Sequence, residues 1–195
     1  MSERRRPDDT GPDVIDLIRR QHAAVRDLFD EVDAARGAER RAAFDRLVRL
    51  LAVHETGEEE IIHPLARTAT AGGSGLVDAR LAEEYVAKQQ LSDLERLGTD
   101  DPAFPAALDA LRLNVLKHAR SEERYELPKL QREAPTALKA AGPPMRAAMA
   151  MAPTHPHPGA ESAAANMLAG PVLALTDRVR DAIRKVRGEN TAGNA

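Results

Sequence analysis

Residues 54–64 read HETGEEEIIHP and residues 118–128 read HARSEERYELP. Each stretch begins with a histidine, sets a glutamate four residues on, doubles it and ends in a proline. His54, Glu58, Glu59 and Pro64 therefore recur as His118, Glu122, Glu123 and Pro128, 64 residues later at identical spacing. Side chains at i and i+4 stand one above the other on an α-helix, so each His/Glu pair shares a face and can reach one point. A duplication of this kind fits a pseudo-twofold site to which each of two helix pairs contributes half.

Outward from these stretches the apolar residues recur at alternating steps of three and four, as on the buried seam of a helix. The second segment gives Phe44, Leu47, Leu51, His54, Glu58, Ile61, Leu65, and the last gives Leu108, Leu111, Val115, His118, Glu122, Tyr125. The first runs Ile15, Ile18, His22, Val25, Phe29, Val32, and the third runs Val77, Leu81, Glu84, Lys88, Leu91. Helices are predicted at about 13–33, 40–66, 76–97 and 106–130, separated by short breakers at 34–39 around Gly37, at 70–75, and at 98–105 with two prolines. Connections this short force neighbours antiparallel, so the expected fold is all-α, an up-down-up-down four-helix bundle.

Three histidines and three glutamates thus replace apolar residues near the middle of otherwise oily seams. One unpaired buried carboxylate costs several kcal/mol, and a small bundle does not tolerate three. A pair of metal ions answers both facts, because neutral imidazoles ligate iron well and carboxylates bridge two cations. Two divalent ions nearly cancel three glutamates, leaving about one charge for a hydroxide or water to offset. A metal-free hydrogen-bond network along the seam is the competing reading, disfavoured by the cost of the buried carboxylates.

The chain has 195 residues, 28 basic and 31 acidic, a net charge of −3, no cysteine, no tryptophan, two tyrosines and three phenylalanines. That excludes thiolate ligands, disulfides and thiol catalysis, and offers no basic face to track nucleic acid. No stretch approaches a membrane span, and MSERRRPDDTGPD leads into no apolar signal segment, so a cytoplasmic location is expected. Beyond a domain at 13–133, residues 134–165 are rich in Ala, Pro, Met and Gly and read as a linker. Residues 166–187 read as an amphipathic helix with Val172, Leu175, Val179, Ile183 and Val186 on one face, either packed on the bundle or pairing with a second copy or a protein partner.

The motifs resemble the hemerythrin-like HHE cation-binding family over roughly residues 13–130. That resemblance implies His22, His54, Glu58, His118 and Glu122 as metal ligands, with the two glutamates bridging, around two iron ions joined by an oxo or hydroxo group. The third helix departs from the family: its usual histidine falls on Glu84. Either that ligand is lost or Glu84 supplies a carboxylate in its place, and its seam position favours the second.

Several neighbours carry alternatives. His63 lies nine residues past His54, half a turn out of phase in an ideal helix, which points it away from the seam. Gly57 either clears space for a small ligand beside the metals or is merely tolerated. Tyr85 and Tyr125 adjoin the site as core residues or as hydrogen-bond donors to a bound ligand. HETGE is not a zinc-protease helix, since glutamate stands where the second histidine belongs. His155 and His157 alternate with prolines and read as extended linker.

The expected function is a non-haem di-iron protein reacting with O₂, peroxide or NO, a small diatomic or peroxide ligand in each case. A carboxylate in place of an imidazole stabilises the ferric state, favouring catalase- or peroxidase-like activity, oxidase activity or sensing over reversible O₂ storage. The alternative is a non-enzymatic iron or oxygen sensor acting through the helix at 166–187.

Overall fold

The computed structural model describes residues 13–151. Four long rods form the bundle: α1 (Val14–Ala34); α2 (Gly37–Gly57) continuing through a π-helical turn at Glu58–Ile62 into α3 (His63–Ala69); α4 (Gly73–Leu97); and α5 (Phe104–Ser121) continuing through a second π turn at Glu122–Glu126 into α6 (Leu127–Glu133). α1 packs on α2 and α5, while α4 packs on α3 and α5. The expected all-α bundle is present, with no strand among the described residues.

The π turns have a cause in the sequence echo. In an unbroken α-helix Pro64 and Pro128 could donate no N–H, and their rings would press on the carbonyls four residues back. Instead His63 N–H reaches the Glu58 carbonyl and Leu127 N–H reaches that of Glu122, a five-residue step that widens the turn just before each proline. Both wide turns start on the repeated glutamate.

Two apolar cores sit at opposite ends of the bundle. One contains Ile15, Ile18, Ile61, Ile62, Leu65, Leu127 and Leu130. The other contains Val25, Phe29, Phe44, Leu47, Leu51, Leu91, Phe104, Leu111 and Val115, with the Phe44 and Phe104 rings edge to face at 5.1 Å, an arrangement worth about 1 kcal/mol beyond area burial. Between them every long rod carries a polar break: His22 between Ile18 and Val25, His54 and Glu58 between Leu51 and Ile61, Glu84 between Val77 and Leu91, and His118 and Glu122 between Val115 and Leu127, all six side chains buried. The packing on either side fixes the depth of this layer.

Part of the stretch read as a linker is packed structure. α7 (Pro135–Ala140) and α8 (Gly142–Met151) fold back against the first core, burying Leu138, Ala141, Met145 and Ala148. Its composition misleads because Ala and Met are strong helix formers, and prolines at the first helical positions are tolerated there. The rest of that stretch, with His155 and His157, and the helix expected at 166–187 lie outside the described residues.

Candidate metal centre

The structure brings all six seam residues together. Potential ligand atoms of His22, His54, Glu58 and Glu122 lie within 4.8 Å of one another, as do those of Glu58, Glu84 and His118, so Glu58 is common to both groups. His22 Nε2 is 3.2 Å from Glu122 Oε2, and His54 Nε2 is 3.2 Å from Glu58 Oε1. His118 Nε2 stands 3.5 Å from Glu122 Oε2, 3.7 Å from Glu58 Oε2 and 3.8 Å from Glu84 Oε1.

Each imidazole is held from behind through its other nitrogen. His22 Nδ1 donates to Glu123 Oε1 at 2.8 Å, His54 Nδ1 to Gln21 Oε1 at 3.2 Å, and His118 Nδ1 to Glu83 Oε2 at 3.2 Å. With the hydrogen on Nδ1, the lone pair is on Nε2 and turned toward the cluster, which is the arrangement of metal-bound histidines. The echo extends to the other helix pair: Gln21, His22 and Arg26 of α1 match Glu83, Glu84 and Lys88 of α4 at the same spacing.

The donor set fits a cation. His22 Nε2, His118 Nε2, Glu84 Oε2 and both oxygens of Glu58 and of Glu122 are buried and have no hydrogen-bond partner. Satisfied interiors do not leave this many polar atoms orphaned in one place. Without a cation the charges conflict. Burial and the neighbouring Glu122 push the Glu58 carboxyl well above the usual range, while Glu122 is drawn low despite its own burial by His118 and His22. Burial and His22 push His54 down to about 3, and His118 is raised despite burial by Glu122 and Glu58. Two adjacent carboxylates titrating in opposite directions is what like charges do when nothing positive lies between them.

Other expectations need correction. His63 is buried, its Nε2 2.6 Å from Glu84 Oε1 and its Nδ1 3.4 Å from Glu126 Oε1. A π turn retards helical phase by about 100° relative to an α turn, and that carries His63 inward. Pro64 and Pro128 were the signal for it. Glu126 was missed for the same reason, since its side chain follows the second π turn into the core. Tyr85 and Tyr125 are exposed, 48% and 58%, and adjoin nothing in the centre; Tyr125 lies instead 5.7 Å under the Arg124 guanidinium. Gly57 clears space, but for a helix: a Cβ there would come 2.6 Å from Met145 Cε and 3.2 Å from Met149 Cγ of α8.

Lys88 and its partners were also missed as a unit. Lys88 is buried, pairs closely with Glu59 and sits 3.8 Å from Glu55 Oε2. Beside the clusters is a small cavity of about 20 Å³ lined by His22, Val25, Leu51, His54, Glu55, Glu84, Ala87, Val115, Leu116, His118 and Ala119. It is large enough for about one water-sized molecule.

A buried layer of imidazoles and carboxylates, arranged by pseudo-twofold repetition inside a four-helix bundle, defines a metal-binding helical bundle. The family model of the hemerythrin HHE cation binding domain matches residues 13–130, and the chain belongs to that family. An uncharacterized hemerythrin-like protein of Schizosaccharomyces pombe is 24% identical over 177 residues, covering 88% of this chain and 87% of its own. The crystal structure of a hemerythrin HHE cation binding domain-containing protein from Mycobacterium kansasii superposes with a TM-score of 0.64 at 22% identity, covering 87% of this chain and 99% of that one. No helix among the described residues is long and apolar enough to cross a membrane.

Proposed function

We propose that this protein holds two iron ions between its helices, one at His22, His54, Glu58 and Glu122 and one at Glu58, Glu84 and His118, and that it reacts with O₂, peroxide or NO rather than storing O₂ reversibly. The observation that carries this reading is the set of buried ligand atoms without partners, aimed at one layer from four rods. When bound, a non-haem iron pair supplies redox chemistry toward such small molecules.

The chain's own residues do the rest. Gln21, Glu83 and Glu123 hold the three imidazoles in one tautomer, while the apolar cores above and below keep water from the layer. The cavity of about 20 Å³ has room for about one water-sized molecule, which favours the smallest ligands over larger substrates. Three carboxylates against three imidazoles favour the ferric state, the basis for preferring peroxide decomposition, oxidation or sensing.

Metal analysis of the purified chain, with an ultraviolet-visible spectrum of the oxidised form, tests the centre: two irons per chain and an oxo-to-iron charge-transfer band are expected. Repeated binding and release of O₂ by the diferrous protein without oxidation would refute the preference for irreversible chemistry.

A further inference from the structure

Among the side chains that reach the two clusters, the halves of the centre differ at one position. On α1 the inward residue is His22, and its Nδ1 is taken by Glu123 of the opposite half. The pseudo-twofold counterpart of His22 is Glu84, and the counterpart of Glu123 is Glu59. A carboxylate at 84 has no ring hydrogen to offer Glu59. Lys88, one turn further along α4, pairs with Glu59, as its counterpart Arg26 reaches Glu123 at 3.8 Å in the other half. Glu84, an acceptor only, needs a donor behind it where an imidazole would need an acceptor.

His63 is that donor. Its Nε2 is 2.6 Å from Glu84 Oε1, while Glu84 Oε2 is buried with no hydrogen-bond partner. His63 Nδ1 faces Glu126 Oε1 at 3.4 Å, and Glu126 is itself almost wholly buried. Nε2 faces a carboxylate oxygen, which accepts, so that nitrogen carries the hydrogen, while Nδ1 and Glu126 Oε1 lie in contact without a hydrogen bond. Neither residue is repeated in the other half: the positions matching His63 and Glu126 are Leu127 and Ile62, ordinary core residues. The chain Glu84–His63–Glu126 therefore crosses from α4 through α3 to the second π turn, and it exists only where the carboxylate replaces an imidazole.

We infer that His63 is the positioning residue for Glu84, and that His63 and Glu126 together adapt this half of the centre to a carboxylate ligand. This rests on the reading of the layer as a metal centre. One carboxylate oxygen, Oε1, is held by His63, which fixes the side-chain rotamer beside Glu58 and His118 and leaves the buried Oε2 without a protein partner. An unanchored glutamate would keep its rotamer freedom and lose affinity accordingly.

The test is an anaerobic titration of the metal-free full chain with ferrous iron, read as bound metal per chain, repeated with cobalt(II) for its ligand-field spectrum. The variants are His63→Gln, which keeps an N–H at a similar reach, and His63→Leu/Glu126→Leu, which removes both buried polar side chains together. The wild type is expected to bind two ions. The double leucine variant should keep one tight ion and bind the second about 10- to 100-fold more weakly, the usual effect of removing a residue that orients a ligand. His63→Gln should hold the second ion within a few-fold of wild type. If the double leucine variant does not fold, His63→Asn, polar but one methylene short of Glu84, takes its place with the same expected loss. Two tight ions in the leucine or asparagine variant would reduce His63 to packing, and loss in His63→Gln equal to that in the others would refute its role as donor. A wild type that binds no metal would instead overturn the centre itself, an outcome distinct from these.

Discussion

Glu58→Leu separates the contribution of this layer to stability from its contribution to metal binding. Glu58 is fully buried, belongs to both clusters, and neither of its oxygens has a hydrogen-bond partner. A buried polar group left unsatisfied costs about 1–3 kcal/mol, and leucine is of similar volume and continues the seam of Leu51 and Ile61. His54 keeps its bond to Gln21, and His118 keeps Glu122, Glu84 and Glu83. In the metal-free protein the variant should therefore be more stable than wild type by about 1–3 kcal/mol, a rise in Tm of roughly 3–10 °C. Ferrous iron at a hundred times its Kd adds about 2.7 kcal/mol per ion to the wild type. Since both clusters lose Glu58, the variant should gain little from either, and the order of stabilities reverses on adding iron. Anaerobic thermal unfolding followed by circular dichroism, with chelator and then with ferrous iron, reads both signs. A variant less stable than wild type under chelator, or stabilised by iron as much as wild type, would refute the account of Glu58 as a costly residue kept for cation binding.

Glu55 is expected to make metal-free stability depend on pH. Burial, opposed by Lys88, pushes its carboxyl from the ordinary 4.5 up to about 8. A raised folded pKa gives stability that is complete below the unfolded value and lost as pH rises through the folded one, on the order of 5 kcal/mol across that window. Glu55→Gln should remove this slope, so its Tm relative to wild type should climb between pH 5 and 8. Gln21→Leu should weaken the ion at His54 by about 10- to 100-fold in a metal titration, because the imidazole loses the acceptor that fixes its tautomer, with little change at the ion on Glu84. The halves carry two imidazoles and one, so Mössbauer spectra of the iron-loaded protein should show two unequal doublets; a single symmetric doublet would contradict the two-to-one division of the imidazoles.

The four rods were legible because their seams are long and regular, and the polar layer because histidine and glutamate stand out against leucine and valine. Glu84 was legible by register alone, since the residues between it and Leu91 hold an undisturbed α-helical phase. His63 and Glu126 were not, because register arithmetic assumes a uniform 3.6-residue turn and two prolines had already broken it. Pro64 and Pro128 were visible from the start, but their consequence is a change of phase five residues long rather than a break, and a break is what proline usually signals. The helices α7 and α8 were hidden differently. Their burial depends on a partner surface at Gly57 that periodicity within the segment cannot reveal.

The distribution of cost through the bundle explains why such a layer can be built at all. Apolar cores on both sides supply the cohesion, so the layer itself need contribute none, and the metal-free charges are free to be in conflict. The π turns then act at the one place where conflict must become geometry. Each begins on the repeated glutamate and widens the helix there, which brings the following residue of one half, His63, and the closing residue of the other, Glu126, into the interior as a pair. A strictly repeated bundle would carry leucine at 63 and isoleucine at 126, the residues its other half has as Leu127 and Ile62. The substitution of a donor in one half and an acceptor in the other is what lets a pseudo-symmetric scaffold support a centre whose halves differ by one ligand.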